Sequence, residues 1–187
     1  MKKYELTSET KIVFGHILYR IKALSSFGYV SAGDLGGFLE SEKNLSQNGN
    51  AWVSGNARVY GNAEVSGNAE VSGNAWVSGN AEVSGDARVS GDARVYGDAW
   101  VYGNAEVSEI GAIFWIGAVG SRNDTATFFR CRDGSIKVVC GCFFGNLDEF
   151  AKKVRKTHGD NDHAKVYMLA IDMAKIRIST EKEKTEE

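Results

Sequence analysis

The chain has 187 residues, of which 43% are hydrophobic and 25% are charged, and its formal net charge at pH 7 is −2. These proportions are those of a folded globular protein and exclude an intrinsically disordered chain. The weak net charge also excludes a strongly basic protein, so we do not expect direct nucleic-acid binding.

The cysteines and the longest apolar run both bear on cellular location. Three cysteines, an odd number, and a start that lacks a secretory signal pattern favour free thiols in a reducing compartment. The apolar run at residues 110–119 is far shorter than the ~20 residues of a membrane-spanning helix. We therefore expect a cytoplasmic protein with no membrane association.

Residues 1–45 are predicted to form a small N-terminal β cap. Within it, residues 11–22 are predicted to form a hairpin that turns near Gly15. Leu39 and Leu45 lie six residues apart, so we expect them to continue the column of inward alanines in the repeats that follow. A cap is needed there because stacked repeats expose unpaired strand edges at their ends.

Residues 46–109 contain a repeat of six residues. From Gly49 to Ser108, ten consecutive hexads follow the pattern Gly-(Asn/Asp)-Ala-x-Val-(Ser/Tyr) without an insertion. The Ala-x-Val-Ser part alternates apolar and variable positions, as expected of a strand with one buried face. Gly-Asn and Gly-Asp tolerate the left-handed backbone of a tight corner. Each hexad is thus predicted to be a short strand and a bend, and the stacked coils to form a parallel β-helix.

The hexads resemble the family of hexapeptide-repeat left-handed β-helices. Val53 to Val107 match the family's inward aliphatic position, and Ala57 to Ala105 match its small inward position. In that family three hexads close one coil, so the resemblance implies about three coils with a left-handed turn. The fold class that we expect is therefore mainly β.

Residues 110–180 are predicted to form a C-terminal α+β domain of ββαα type. Two strands at residues 125–132 and 136–142 flank the turn at Asp133-Gly134. A helix then starts at Asn146 with a capping-box pattern, and a second helix starts near Asp162. Residues 181–187 form a charged tail.

The layout of nearly the whole chain resembles a family that is common in bacteriophage and prophage genomes and is mostly uncharacterised. The resemblance rests on the segment DLGGFLE at residues 34–40 and on GCFFGNLDEF at residues 141–150. It implies a mobile-element origin, an accessory role in a bacterial host cell, and no particular reaction.

Hexapeptide folds are often acyltransferases, which use a histidine within or beside the coils as a general base. The histidines here are His16, His158 and His163, and none lies in the repeats. The related zinc carbonic anhydrases need three histidines on the coils, which are also missing. The sequence therefore favours a protein without enzymatic activity or cofactor.

Two further groups in the C-terminal domain have a functional and a structural interpretation. Cys140 and Cys142, with His158 and His163, offer four zinc ligands, but a strand would place both thiols on one buried face beneath the helices. We expect the buried thiols and no metal. Residues 121–123, Ser121, Arg122 and Asn123, either bind a ligand or form a turn.

The sharpest functional signal lies on the coils. Residues 18 apart stack in the expected coil, which places Arg58, Trp76 and Arg94 in one column flanked by Tyr60 and Tyr96. Arg, Trp and Tyr are enriched at interaction hot spots, and this column has no acidic residue. The alternative is that Arg and Trp stack only for local stability.

These observations predict a non-enzymatic interaction module that binds a host or phage protein. The phage resemblance implies an inhibitor of a host defence nuclease or of its signalling machinery, in the manner of an anti-CRISPR or other anti-defence protein. The alternative is a hexapeptide-type acyltransferase, or a small-molecule-binding protein that uses the C-terminal domain. We also expect a homo-oligomer, because hexapeptide prisms usually pack flat faces together and this chain carries tryptophans that are expected to be exposed.

Overall fold

The computed structural model describes residues 2–178, and the chain begins there with an antiparallel hairpin. Strands β1 (Tyr4–Val13) and β2 (His16–Ala23) pair along their length and are joined by a turn at residues 14–15. Phe14 and Gly15 both have positive φ, 50° and 85°, which the tight turn requires. The predicted hairpin is confirmed. A third strand, β3 (Leu35–Leu39), pairs with β2 in the antiparallel sense.

A β-solenoid follows, made of two-residue strands six residues apart. The strands are β4 (Trp52–Val53), β5 (Arg58–Val59), β6 (Glu64–Val65), β7 (Glu70–Val71), β8 (Trp76–Val77), β9 (Glu82–Val83), β10 (Arg88–Val89), β11 (Arg94–Val95), β12 (Trp100–Val101) and β13 (Glu106–Val107). Every third strand pairs in parallel, which gives the three runs β3-β5-β8-β11, β4-β7-β10-β13 and β6-β9-β12. The inward valines and alanines are at most 1% exposed, so they form one continuous core.

The solenoid has about four turns, so the expectation of about three was wrong. The additional turn comes from residues 35–48, where Leu39 pairs with Val59 and Leu45 bridges to Val65. In both pairs the two residues are 20 positions apart in the sequence, whereas residues paired between later turns are 18 positions apart. Leu39 and Leu45 therefore stand above the valines, and their expected place in the alanine column was also wrong. The physical reason is size, because a leucine fits the larger aliphatic position and not the alanine position.

Two interactions between turns explain the Gly-Asn and Gly-Asp corners. A Cβ on Gly73 would lie 2.9 Å from the backbone nitrogen of Gly91 in the next turn, so glycine is required for the turns to stack. The amide side chains form ladders, since Asn62 donates to Asn80 at 3.1 Å and Asn80 donates to Asp98 at 2.9 Å. A terminal carboxylate suits such a ladder because it only accepts.

The C-terminal unit contains a four-stranded antiparallel sheet and two helices. Its elements are β14 (Ile113–Val119), β15 (Asp124–Arg130), β16 (Ile136–Cys140), β17 (Phe143–Asn146), α1 (Leu147–His158) and α2 (Asp162–Arg177). Both helices and both predicted strands are present. The ββαα prediction was incomplete, since β14 and β17 add two strands to the sheet.

This sheet lies between the last turn of the solenoid and the two helices. Phe129 and Cys131 belong to the solenoid core, whereas Phe128 and Val138 pack with the helices. The sheet is also hydrogen-bonded to the solenoid directly, since the Trp100 backbone amide donates to the Thr127 hydroxyl at 3.0 Å. It thus covers the open end of the repeats. Within residues 2–178, neither helix is long and apolar enough to cross a membrane, and the predicted charged tail lies outside the described residues.

Candidate partner-binding face

The predicted columns of outward side chains are present in the register of the solenoid strands. Arg58 pairs with Trp76 and Trp76 pairs with Arg94 in adjacent turns. Tyr60 and Tyr96 directly follow β5 and β11, two residues after Arg58 and Arg94, and lie on the same side of the prism. We call these five residues, Arg58, Tyr60, Trp76, Arg94 and Tyr96, the Arg–Trp face.

Trp76 is held between the two arginines of this face. The guanidinium carbons of Arg58 and Arg94 lie 5.1 Å and 4.9 Å from the centroid of the Trp76 ring. Both distances are within the range of a cation–π interaction. The stacking for local stability is therefore real, and it also fixes the side chains in one arrangement. A fixed arrangement lowers the entropy cost of binding, so the two interpretations are compatible.

Two aromatic residues distant in sequence add to the Arg–Trp face. Phe14, at the hairpin tip, packs on the central Trp76 in a T-shaped arrangement with ring centroids 5.3 Å apart. Trp115 of β14 packs on Tyr96 in the same way at 4.5 Å. Phe14 is 75% exposed and Tyr96 is 51% exposed, so both rings remain accessible. Sequence analysis missed Phe14 and Trp115 because no local pattern links them to the repeats.

The hairpin also brings a histidine to the coils. Nδ1 of His16 lies 2.9 Å from Oε1 of Glu40, and the imidazole packs against the Tyr60 ring at 5.0 Å. The other oxygen of Glu40 accepts a hydrogen bond from the Gly61 amide at 2.7 Å. These two hydrogen bonds, that from His16 first, lower the pKa of Glu40. His16 lies outside the repeats in the sequence, as stated above, but the hairpin places it beside the coils, which chain position alone does not reveal.

Trp52 occupies a different environment from that expected of an exposed tryptophan. It is only 2% exposed, because Tyr4 and Phe27 of the N-terminal cap pack edge-on against its ring at 6.4 Å and 5.5 Å. Its neighbours in the column, Glu70 and Arg88, form an ion pair at 3.5 Å. Trp52 thus anchors the cap, and Trp100, 40% exposed, lies on another face.

Ser121, Arg122 and Asn123 form the turn between β14 and β15. Asn123 has a φ of 51°, and its amide donates weakly to the Gly120 carbonyl at 3.4 Å. Of the three residues, Arg122 alone lines a small cleft of about 120 Å³, together with His158 and Tyr167. The structure therefore contains the predicted turn, and ligand binding there stays a prediction.

Three of the four candidate zinc ligands, Cys140, Cys142 and His158, line the same small cleft, but they do not come together around a common point. Cys140 is buried at the end of β16, whereas Cys142 follows the turn at Gly141 and is exposed. The expectation that both thiols are buried on one face is wrong for Cys142, because the strand ends before it. Burial raises the pKa of Cys140. The His158 and His163 rings lie 5.6 Å apart, and residues 2–178 contain no group of three or more potential ligands close enough to hold a metal.

Comparison with known protein families supports the solenoid. Three segments of the chain, residues 51–67, 81–97 and 87–103, match the family model described as the YdcK β-solenoid repeat. All three segments lie within the ten hexads, and the description names no reaction or ligand. No curated protein matches the chain significantly.

Proposed function

We propose that this β-solenoid protein is a non-enzymatic interaction module whose Arg–Trp face binds another protein. The observation that carries the proposal is the stack of Trp76 between Arg58 and Arg94, a fixed strip of two cations and a large ring without a carboxylate in its column. Such a strip suits a partner surface that carries carboxylates and an apolar contact for the ring. It does not suit direct nucleic-acid binding, because two arginines neutralise few phosphates.

We further propose a host or phage protein as the partner, inside a bacterial cell. The resemblance to phage-borne proteins supports inhibition of a host defence nuclease or its signalling machinery. The resemblance to hexapeptide-repeat proteins supports a left-handed coil, which a crystal structure would test by showing the hand of the turns.

A triple variant, Arg58→Ala with Trp76→Ala and Arg94→Ala, tests the proposed face. Loss of two cation–π contacts at ~0.5–1 kcal/mol each lowers the free energy of unfolding by about 1–2 kcal/mol and leaves the core intact. One hot-spot truncation costs ~2 kcal/mol or more, which is about 30-fold in affinity, so the triple variant should lose partner affinity by more than this factor. Tagged wild-type and variant chains are expressed in bacteria, recovered proteins are identified by mass spectrometry, and the affinity of a recovered partner is measured by calorimetry.

The matched control is Glu64→Ala with Glu82→Ala, two exposed residues that stack on another face. It should retain the partner and the stability of the wild type. A folded triple variant that keeps the same partner at the same affinity would rule out the Arg–Trp face as the binding surface.

The alternative, an acyltransferase or small-molecule-binding protein, is favoured by one observation. Glu40 holds Nδ1 of His16, an arrangement that can orient an imidazole as a general base beside the coils. Acyl transfer from an acyl thioester to an amine or hydroxyl, abolished by His16→Ala, would establish this alternative. Absence of turnover with wild-type protein over a panel of such donors would leave His16 a structural contact of the hairpin.

A further inference from the structure

The two helices of the C-terminal unit present very different faces to solvent. Both bury an apolar face against the sheet, with Phe150 and Val154 in α1 and Tyr167 and Ile171 in α2. The opposite face of α1 is basic, as expected of a helix in contact with water. The opposite face of α2 carries an apolar stripe flanked by charged residues. A helix that is apolar on both faces is normally covered on both.

The exposed apolar residues of α2 form one stripe with a regular spacing. They are Val166, Leu169, Met173 and Ile176, with exposed fractions of 39%, 64%, 51% and 86%. Their spacing of three, four and three residues is that of the a and d positions of a coiled-coil heptad. We call these four residues the α2 seam. A stripe of this kind marks an interaction site more often than single exposed apolar residues do.

We propose that the α2 seam pairs with the α2 seam of a second copy of the chain, as a parallel two-helix contact. With Val166 and Met173 at a, Asp172 is at g and Arg177 is at the following e. In a parallel pair, residues g and e′ five positions apart meet, so Asp172 of each copy lies opposite Arg177 of the other. An antiparallel pair that overlaps the whole seam would instead place the two Asp172 carboxylates against each other. Val166 at a with Leu169 at d is the combination that favours two strands, so the orientation rests on the contact of Asp172 with Arg177.

Neighbouring residues enlarge the apolar surface beside the seam. Phe114 of β14, with Met173, Ile176 and Arg177, lines an open cleft of about 470 Å³. A second helix lying along the seam would cover this cleft as well. This proposal does not depend on the Arg–Trp face, since none of its four seam residues belongs to that face.

Oligomeric state tests the proposal directly. The full chain should sediment as a dimer at concentrations on the order of 100 µM, and Leu169→Glu with Ile176→Glu should make it monomeric by weakening dimerisation at least about 100-fold. Both positions are exposed, so the thermal melt of the variant monomer should match that of the diluted wild type. The matched control, Lys152→Glu with Lys156→Glu on the exposed face of α1, should remain a dimer.

Charge exchange tests the parallel orientation. Asp172→Arg or Arg177→Asp alone should weaken the dimer about fivefold, and the double exchange should restore it. A wild-type chain that is monomeric at about 100 µM overturns the proposal. It does so even if the α2 seam is then found to bind lipid vesicles or a different protein. A dimer that the Leu169→Glu, Ile176→Glu variant leaves intact overturns it too, and a dimer lost only in the Arg–Trp face variant would place self-association on that face.

Discussion

The stacking of glycine corners makes a sharp prediction for the substitution Gly73→Ala. Gly73 has a φ of +66°, and a Cβ there would lie 2.9 Å from the nitrogen and 3.1 Å from the oxygen of Gly91 in the next turn. Two costs then add. The left-handed backbone costs an alanine about 1–2 kcal/mol, and forcing a methyl group between two packed turns costs about 1–3 kcal/mol more.

Gly134→Ala separates these two costs. Gly134 also has a positive φ, +77°, but a Cβ there would have no neighbour within 4 Å. The alanine at either site reduces the entropy of the unfolded chain equally, so that effect cancels in the comparison. Gly134→Ala should therefore lower the free energy of unfolding by the backbone cost alone, about 1–2 kcal/mol.

Urea unfolding of the two variants measures the difference. Gly73→Ala should be less stable than Gly134→Ala by about 1–3 kcal/mol, which corresponds to a melting temperature lower by roughly 2–12 °C for a chain of this size. Equal unfolding midpoints would refute the reasoning, because they would mean that the turns separate around a methyl group without cost.

Two further predictions concern the N-terminal cap. Asn44 is fully buried, and its side-chain amide donates to the Gly61 and Ala63 carbonyls at 3.1 Å and 2.9 Å. Asn44→Ala should therefore lower the free energy of unfolding in urea by roughly 2–4 kcal/mol. The control is Asn48→Ala at an exposed position, and equal stability of the two variants would contradict the prediction. Burial lowers the pKa of Lys3 from 10.5 to about 8, so between pH 8 and 10 the unfolded chain binds more protons at this side chain, and the contribution of Lys3 to stability should rise with pH. Burial also raises the pKa of Cys131 and Cys140, which lowers the stability of both proteins over the same range, so the test is the difference in unfolding free energy between wild type and Lys3→Met at pH 8, 9 and 10. This difference should change in favour of the wild type as the pH rises, and a constant difference would disprove the prediction.

The repeat region could be predicted almost residue by residue because its structure is set locally. The hexad contains both the strand and the corner, so the pairing of Arg58 with Trp76 follows from an 18-residue turn. The first turn could not be predicted in the same way. It lacks the Gly-Asn corners, and two additional residues between Leu45 and Val53 shift its register.

Contacts between distant segments account for the other differences. The burial of Trp52 depends on contacts with Tyr4 and Phe27, and no sequence pattern in the repeats predicts these contacts. The strand β14 has apolar residues on both faces because it lies between solenoid and helices, so a search for alternating polarity misses it. The exposed stripe on α2 lies opposite an inner face that is also apolar, so the helix lacks the single apolar face by which a sequence pattern separates inside from outside.

The choice of residues in the outward columns favours binding over stability as the role of the Arg–Trp face. The neighbouring column shows how this solenoid stabilises an arginine, since Arg88 lies between two glutamates and pairs with Glu70. A glutamate in place of Trp76 would give Arg58 and Arg94 the same partner. Tryptophan instead keeps the guanidiniums two turns apart, roughly 10 Å, and leaves both charges uncompensated within the column. A partner that supplies the missing carboxylates would gain most from this arrangement. Trp76→Glu should therefore lose only the Phe14 contact, about 0.5–1.5 kcal/mol in urea unfolding, because two ion pairs replace the two cation–π contacts. It should abolish partner binding in calorimetry, an outcome that stacking for stability alone does not predict.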